Sequence, residues 1–363
     1  MSTRRVKRIR DLLAKKDLDG ILVSNPANRR YLSGFTGSAG HLIITPEVLW
    51  LFTDFRYADQ ATKEAPDFTV VRYSNNTGNI YSVMTETFRS YWYDKPVKIG
   101  FEGDFLVHDV VQDLRSAIPH LHLDNLSLKA LRMQKDKEEI EYIRKATQIA
   151  EEAFIEILPR IRPGISEADV ALDLEVAMRR RGAQGKAFDF DFIIASGYRG
   201  ALPHGYATDK LLVAGELVTL DFGALYKGYR SDMTRTVCLG PADAKQREIY
   251  QLVLKAHEAS YSAMRPGAPC KDIDGVARQI ITDAGYGDQF GHGLGHGIGL
   301  ELWEEPFMNT TSTAVMSENM VITVEPGVYL PGWGGIRIED TVLITANGCE
   351  SLNQTSKELL ELI

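Results

Sequence analysis

Between residues 20 and 125 short apolar runs recur: GILVS, HLIIT, LWLFTD, FTVVRY, VKIGFE and LHLDN, with helical or turn-like segments between them. Runs of this length that alternate with helical segments predict an α/β domain. Further on the pattern changes. The stretch 133–161 places Ile140, Ile143, Ala146, Ile149, Ala150 and Phe154 on one helical face with charges opposite, so a long amphipathic helix is expected. A chain of 363 residues is long for one core, and the change of texture divides it into domains 1–130 and 131–363.

The second domain repeats its own order of elements. After the long helix comes SEADVALDLEVAMRRRG, opened by Ser166 as N-cap with Asp169 at the box position and closed by Gly182. Strand-like FDFIIAS follows, then LVTLDFGALYKGYRSDMTRTVCL, which reads as a hairpin turning near Lys227 and Gly228. The second half runs the same way: helices over 243–264 and 271–284, a glycine-rich stretch, and a hairpin from NMVITVEPGVYL to GGIRIEDTVLIT. Two helix–helix–hairpin halves predict a pseudo-twofold arrangement with the hairpins facing one another.

Strand alternation puts Thr219 and Asp221 on one face of the first hairpin and Val218, Leu220 and Phe222 on the other. With the turn centred between Tyr226 and Lys227, Asp232 comes opposite Asp221. The second hairpin pairs acids similarly: Thr323 and Glu325 share a face on one arm, Arg337 and Glu339 on the other, with the turn near Gly332. Any one of these acids alone would read as a surface residue on an edge strand. Four of them, paired within two hairpins and flanked by apolar strand residues, predict a common site that needs positive charge.

The stretch GHGLGHGIGLELW (291–303) spaces His292 and His296 as a zinc-binding helix would. Five alternating glycines, at ~1 kcal/mol each against alanine, argue against a helix. An extended segment is expected, with glycines on one face and the histidines, Leu294 and Ile298 on the other. It lacks the lysine of a phosphate-binding loop and the strand–turn–helix order of a dinucleotide site. Coordination by at least one histidine competes with a glycine strand holding core histidines. Four carboxylates and an imidazole suit manganese, cobalt or zinc, and their charge balances two divalent ions. Two such ions can hold a bridging hydroxide and polarise a carbonyl, which is the chemistry of amide or ester hydrolysis.

Composition narrows the partners. Lys and Arg total 41 against 49 Asp and Glu, a net charge of −8, so neither nucleic acid nor an anionic membrane is an expected partner. The basic start RRVKRIR reads as a surface helix leading into a strand. Apolar stretches such as HLIITPEVLWLF, broken at Pro46 and Glu47, fall short of the ~20 residues of a bilayer span. Three scattered cysteines offer neither a disulfide framework nor a zinc knuckle, and no signal h-region follows the basic start, so a cytoplasmic protein is expected.

The spaced motifs LDFGA, SDMTRT, GHGIGLEL, VEPGVY and GIRIED, with NPANRRYLSGFTGSAG and TDFRYADQA upstream, resemble the pita-bread metallopeptidases. The likeness is greatest to their proline-specific branch of Xaa-Pro dipeptidases (prolidases) and aminopeptidase P. It implies a creatinase-like N-terminal α/β domain, a pita-bread catalytic domain and a homodimer. It implies hydrolysis of the bond before proline in dipeptides or proline-containing peptides with two divalent ions, manganese first, cobalt or zinc next. Asp221 would chelate one ion, Asp232 and Glu339 would bridge both, and His296 and Glu325 would complete the other site, Glu325 also relaying protons. His204 matches a substrate-facing histidine and His292 a cleft-lining one, while Arg337 is expected to orient a bridging carboxylate. Trp303 departs from the family, which usually carries a histidine there; an indole has one N–H donor and cannot take up a proton. That departure leaves a slow peptidase, a shifted substrate choice or a catalytically weak binding or chaperone protein as alternatives, and the reach of the cleft past the scissile bond separately leaves aminopeptidase P activity on longer peptides.

Overall fold

The computed structural model describes residues 2–74, 80–93, 95–118 and 120–362, which form two compact units, Met1–Leu131 and Arg132–Ile363. In the first unit the six apolar runs are six strands of one sheet. Their order is Thr69–Tyr73, Leu49–Asp54, His41–Ile44, Gly20–Val23, Val97–Phe101, Leu121–Asn125. Leu22, Ile43, Phe52 and Ile99 are buried in a cluster with Met84, Phe88, Val111 and Leu114 of two helices, Ile80–Trp92 and His108–Ala117. The basic start forms the helix Ser2–Lys16. Among the described residues no helix is long and apolar enough to cross a membrane.

The second unit opens with the helix Lys137–Ile157, fixed at its start by a capping box between Asp136 and Glu139. Ser166 and Asp169 form the same device before Glu167–Arg180, and Asp243 and Gln246 repeat it before Ala244–Ala263. Each box satisfies backbone N–H groups that a helix start leaves unpaired. Cys270–Asp283 is the fourth helix of the order expected above.

Each hairpin follows its pair of helices. In the first, Leu217–Phe222 pairs with Met233–Leu239, and Tyr226 pairs with Tyr229 around Lys227 and Gly228, both at positive φ (44° and 76°). The turn is therefore centred between Lys227 and Gly228, and Asp221 faces Thr234 rather than Asp232. A shift of two residues keeps the parity of the strand, so Asp221 and Asp232 remain on one face, set diagonally. Extending the ladder brings Asp232 to Gly223, where a Cβ would meet the Ser231 carbonyl at 1.8 Å.

The second hairpin consists of two ladders in one register: Val321–Val324 with Asp340–Thr345, then Gly327–Leu330 with Gly334–Arg337. Continuing that register through the gap sets Glu325 against Glu339.

The two hairpins meet along a seam in which threonine hydroxyls take up ladder positions. Glu339 N donates to Thr234 O (3.1 Å), Arg337 N to Thr236 Oγ1 (3.2 Å), and Thr341 Oγ1 to Asp232 O (2.7 Å). The strand carrying Asp232 thereby lies beside the strand carrying Glu339.

Candidate metal centre

The seam and the turn geometry gather the acids. Asp232, His296 and Glu339, all buried, each offer a ligand atom, and these atoms lie within 4.8 Å of one another. His296 Nε2 is 3.8 Å from Asp232 Oδ2 and 3.4 Å from Glu325 Oε1. Asp221 joins from the first hairpin, its Oδ2 accepting from Arg337 Nη2 at 2.6 Å.

Three carboxylate oxygens of this cluster, Asp221 Oδ1, Asp232 Oδ1 and Glu339 Oε1, are buried without a hydrogen-bond partner. Burying such an atom unpaired is costly, and the cost multiplies when like charges crowd together. Burial pushes the carboxyls of Asp221, Asp232 and Glu339 upward, and that of Glu325 to about 8; repulsion from neighbouring carboxylates adds to it at Asp232, Glu325 and Glu339, while Arg337 opposes it at Asp221. A divalent cation removes both penalties at once. The imidazole is prepared for the same task. His296 Nδ1 is 3.0 Å from the Gly297 carbonyl, which fixes the proton on that nitrogen and leaves the Nε2 lone pair toward the acids. Burial holds its pKa down at about 4, so the ring is neutral. Hard oxygen donors with one neutral imidazole therefore fit a divalent metal ion.

The glycine-rich stretch is extended only at Gly295–Gly297, with a register shift after His296. Its glycines mark close approach of other segments, as glycine in an extended stretch implies. Gly293, Gly295, Gly297 and Gly299 each meet atoms of other segments; a Cβ at Gly295 would lie 2.0 Å from the Thr323 carbonyl. That approach lets Thr323 Oγ1 accept from His296 N (3.0 Å) and stand 3.2 Å from Glu325 Oε1. Leu294 is packed in the apolar core, whereas His292 and His296 line the cleft.

The cleft above the acids has a volume of ≈ 760 Å³. His204, His292, Trp303, Tyr329 and Arg337 line it together with Leu202, Pro203, Phe307, Met308 and Asn309. His204 is exposed at its mouth. His292 Nδ1 faces the Gly293 carbonyl (2.8 Å) and its Nε2 faces Tyr329 Oη (2.9 Å). Both ring nitrogens are thus engaged. Trp303, 49 % exposed, stacks on Phe190 (centroids 5.5 Å apart, 25° between planes) and stands edge-on to His296 (6.4 Å, 79°). The adjoining Glu304 is held by Lys135 Nζ at 3.0 Å, both side chains buried, which anchors the Trp303 loop.

One expected contact is different. Arg337 does not bind Glu339; it binds Asp221, Tyr329 Oη (2.8 Å) and Thr234 Oγ1 (3.1 Å). The Thr234 hydroxyl donates to Glu339 Oε2 at 2.6 Å, so the arginine reaches that carboxylate only through the threonine. The physical reason is register: Glu339 turns toward the seam, while the guanidinium extends across to the first hairpin. The sequence pattern does not single out Thr234 or Tyr329, and places Thr323 only on the face of Glu325. Alternation would have found Tyr329, which shares strand parity with Glu325, but no composition signal marks the threonines.

Comparison with known proteins adds the family. The model of metallopeptidase family M24 matches residues 141–346, and that of the creatinase/prolidase N-terminal domain matches residues 5–134. This chain belongs to metallopeptidase family M24. The M24 chain is 39 % identical over 360 residues to an Xaa-Pro dipeptidase of Pyrococcus furiosus, covering 98 % of this chain and 99 % of the relative. An Xaa-Pro dipeptidase from Bacillus anthracis superposes with a TM-score of 0.94 at 40 % identity, with 100 % of both chains covered. An X-Pro aminopeptidase from Thermotoga maritima gives 0.90 at 38 %, covering 98 % and 99 %. The fold is thus a creatinase-type N-terminal domain followed by the pita-bread metallopeptidase domain, and the protein is a metallopeptidase.

Proposed function

We propose that this M24 peptidase is an Xaa-Pro dipeptidase, hydrolysing the peptide bond before proline, with two divalent ions held by Asp221, Asp232, His296, Glu325 and Glu339. The observation that carries the metal reading is the set of three unpartnered buried carboxylate oxygens beside a neutral, oriented imidazole. The substrate class is supported by relatives of that name matching over the full length. Bound ions of this kind polarise a scissile carbonyl and lower the pKa of an attacking water.

The chain's own groups do the rest. Glu325, its Oε1 3.4 Å from His296 Nε2 at the edge of the cleft, is the group suited to accept a proton from water and deliver it to the leaving nitrogen. Thr323 steadies its Oε1, and Arg337 fixes Asp221. His204, exposed at the mouth, meets the substrate; His292 and Trp303 form walls, the indole offering one donor. Manganese as the metal, a homodimer and a cytoplasmic location belong to the same reading. Aminopeptidase activity on longer Xaa-Pro peptides is the competing reading, favoured by the Thermotoga maritima neighbour. A metal-free binding protein would have no need of five assembled ligands.

The test is metal content after purification without chelator, then a panel of Xaa-Pro dipeptides against Xaa-Pro-Yaa peptides with manganese, cobalt and zinc in turn. About two ions per chain and turnover of the dipeptides are expected. A metal-loaded protein that cleaves neither class would sink the proposal, and one that cleaves only the longer peptides would replace it with the aminopeptidase reading.

A further inference from the structure

Behind the acidic cluster lies a buried charge that the hydrolytic chemistry does not use. Arg235 is 2 % exposed, and its guanidinium makes five hydrogen bonds. Nη1 donates to the carbonyls of Thr234 (2.9 Å) and Glu339 (2.6 Å). Nη2 donates to Asp340 Oδ1 (2.8 Å) and the Thr355 carbonyl (3.0 Å), and Nε to the Ser356 carbonyl (3.1 Å). That uses every N–H an arginine has.

The partners are what give this arrangement its meaning. Thr234 and Glu339 face one another across the seam between the hairpins, and they also share the bond from the Thr234 hydroxyl to the Glu339 carboxylate. One rigid planar group therefore fixes, from behind, the relative position of the strand bearing Asp232 and the strand bearing Glu339. Its other arm grips the segment 355–356, and Lys357 closes the loop by donating to Asp340 Oδ2 at 2.9 Å. Asp340 offsets the arginine's charge, so the clamp does not repel a cation on the far side. Buried ion pairs can often be replaced by apolar residues without loss of stability, so stability alone does not account for this one. Geometry does: a lysine or an apolar residue could not span both strands and the tail.

We propose that Arg235 is a positioning residue for the metal centre, tying the separation of Asp232 and Glu339 to the C-terminal segment through Asp340, Thr355 and Ser356. The proposal rests on the reading of the acidic cluster as a metal site. A loss of metal affinity is expected when the clamp is removed, comparable to losing an outer hydrogen-bond partner of a ligand, about tenfold or more.

The experiment titrates cobalt(II) alone into the metal-free full-length chain and follows visible absorption, with circular dichroism to confirm folding. Arg235→Met is expected to bind cobalt at least about tenfold more weakly and, at saturation, to show an altered d–d band; Arg235→Lys restores part of both, and Lys357→Met causes a smaller loss. A merely structural role would lower the melting temperature and leave the saturated spectrum alone. A folded Arg235→Met with wild-type affinity and spectrum overturns the proposal. Should that variant fail to fold, unchanged affinity and spectrum in both Arg235→Lys and Lys357→Met overturn it equally. A wild-type chain that takes up no cobalt is a separate outcome, because it removes the metal centre itself and this proposal with it.

Discussion

Glu339 and Asp340 are adjacent in sequence and almost completely buried, 1 % and 0 % exposed, yet their carboxyls are displaced in opposite directions. Glu339 is pushed well above the ordinary carboxylate range, whereas Asp340 is held down at about 2. Burial acts on both in the same sense, so it cannot be the difference. Counter-charge is. Alternation sends the two side chains to opposite faces of the strand. On one face Asp340 meets Arg235 and Lys357 at 2.8 and 2.9 Å. On the other, Glu339 meets a threonine hydroxyl and the repulsion of Glu325 and Asp221. The chain supplies Asp340 with two cations of its own, whereas Arg337 on the other face binds Asp221 and leaves Glu339 to a cation from solution.

Substitutions on the two sides should therefore differ in kind. The largest effect is expected from Asp232→Asn or Glu339→Gln, which remove a ligand: metal uptake and peptidase activity should be lost by more than the ~10–100-fold that a supporting contact is worth. In the metal-free protein the same substitutions relieve repulsion, and urea denaturation should show stability unchanged or raised; a marked loss would break the contrast.

Asp340→Ala should do the opposite, leaving Arg235 buried without its carboxylate. Breaking a buried pair costs ~3–5 kcal/mol, which urea denaturation would read directly. A change under ~1 kcal/mol, the range of exposed pairs, would contradict the account.

A subtler effect comes from pH. Glu325 has a folded pKa of about 8 against an ordinary 4.5, so its contribution is fully present below 4.5 and lost as pH rises through 8. The buried histidines, with folded values near 4 against 6.5, act in the reverse sense but only below 6.5. Between pH 6.5 and 8 the carboxyls alone decide. Metal-free protein should melt at progressively lower temperature across that interval, and metal-loaded protein should vary less. Equal slopes would count against cation-compensated carboxylates.

The smallest effect is expected at the cleft wall. Trp303→His offers a group that can carry charge where the indole cannot, and turnover on Xaa-Pro substrates should rise, by at most the ~10²–10³-fold one well-placed donor is worth. An unchanged or lower kcat would place the tryptophan as a wall and nothing else.

Much of this was legible along the chain. Six apolar runs became six strands, and Ser166 with Asp169 forms the box its spacing announces. The parity that put Asp221 and Asp232 on one face survived a two-residue error in register, because a shift by an even number leaves faces unchanged. An odd shift would have scattered the site. What the pattern did not give was contact between hairpins: it paired Arg337 with its neighbour on the strand, Glu339, whereas the guanidinium crosses to Asp221. Thr234 and Arg235 looked like ordinary strand residues, since neither periodicity nor composition says what lies across a seam.

The amino-acid order by itself determined which residues are helical, which alternate along strands, and which acids share a face, because those follow from local dihedral preferences and the two-residue repeat. Only the tertiary structure decided which of the buried charges meet a partner: Asp340 found Arg235 and Lys357, while Glu339 found other acids. That outcome depends on Coulomb interactions between segments the fold brings together, Arg235 and Asp340 being 105 residues apart, in a medium drained of water, and no local rule carries such information.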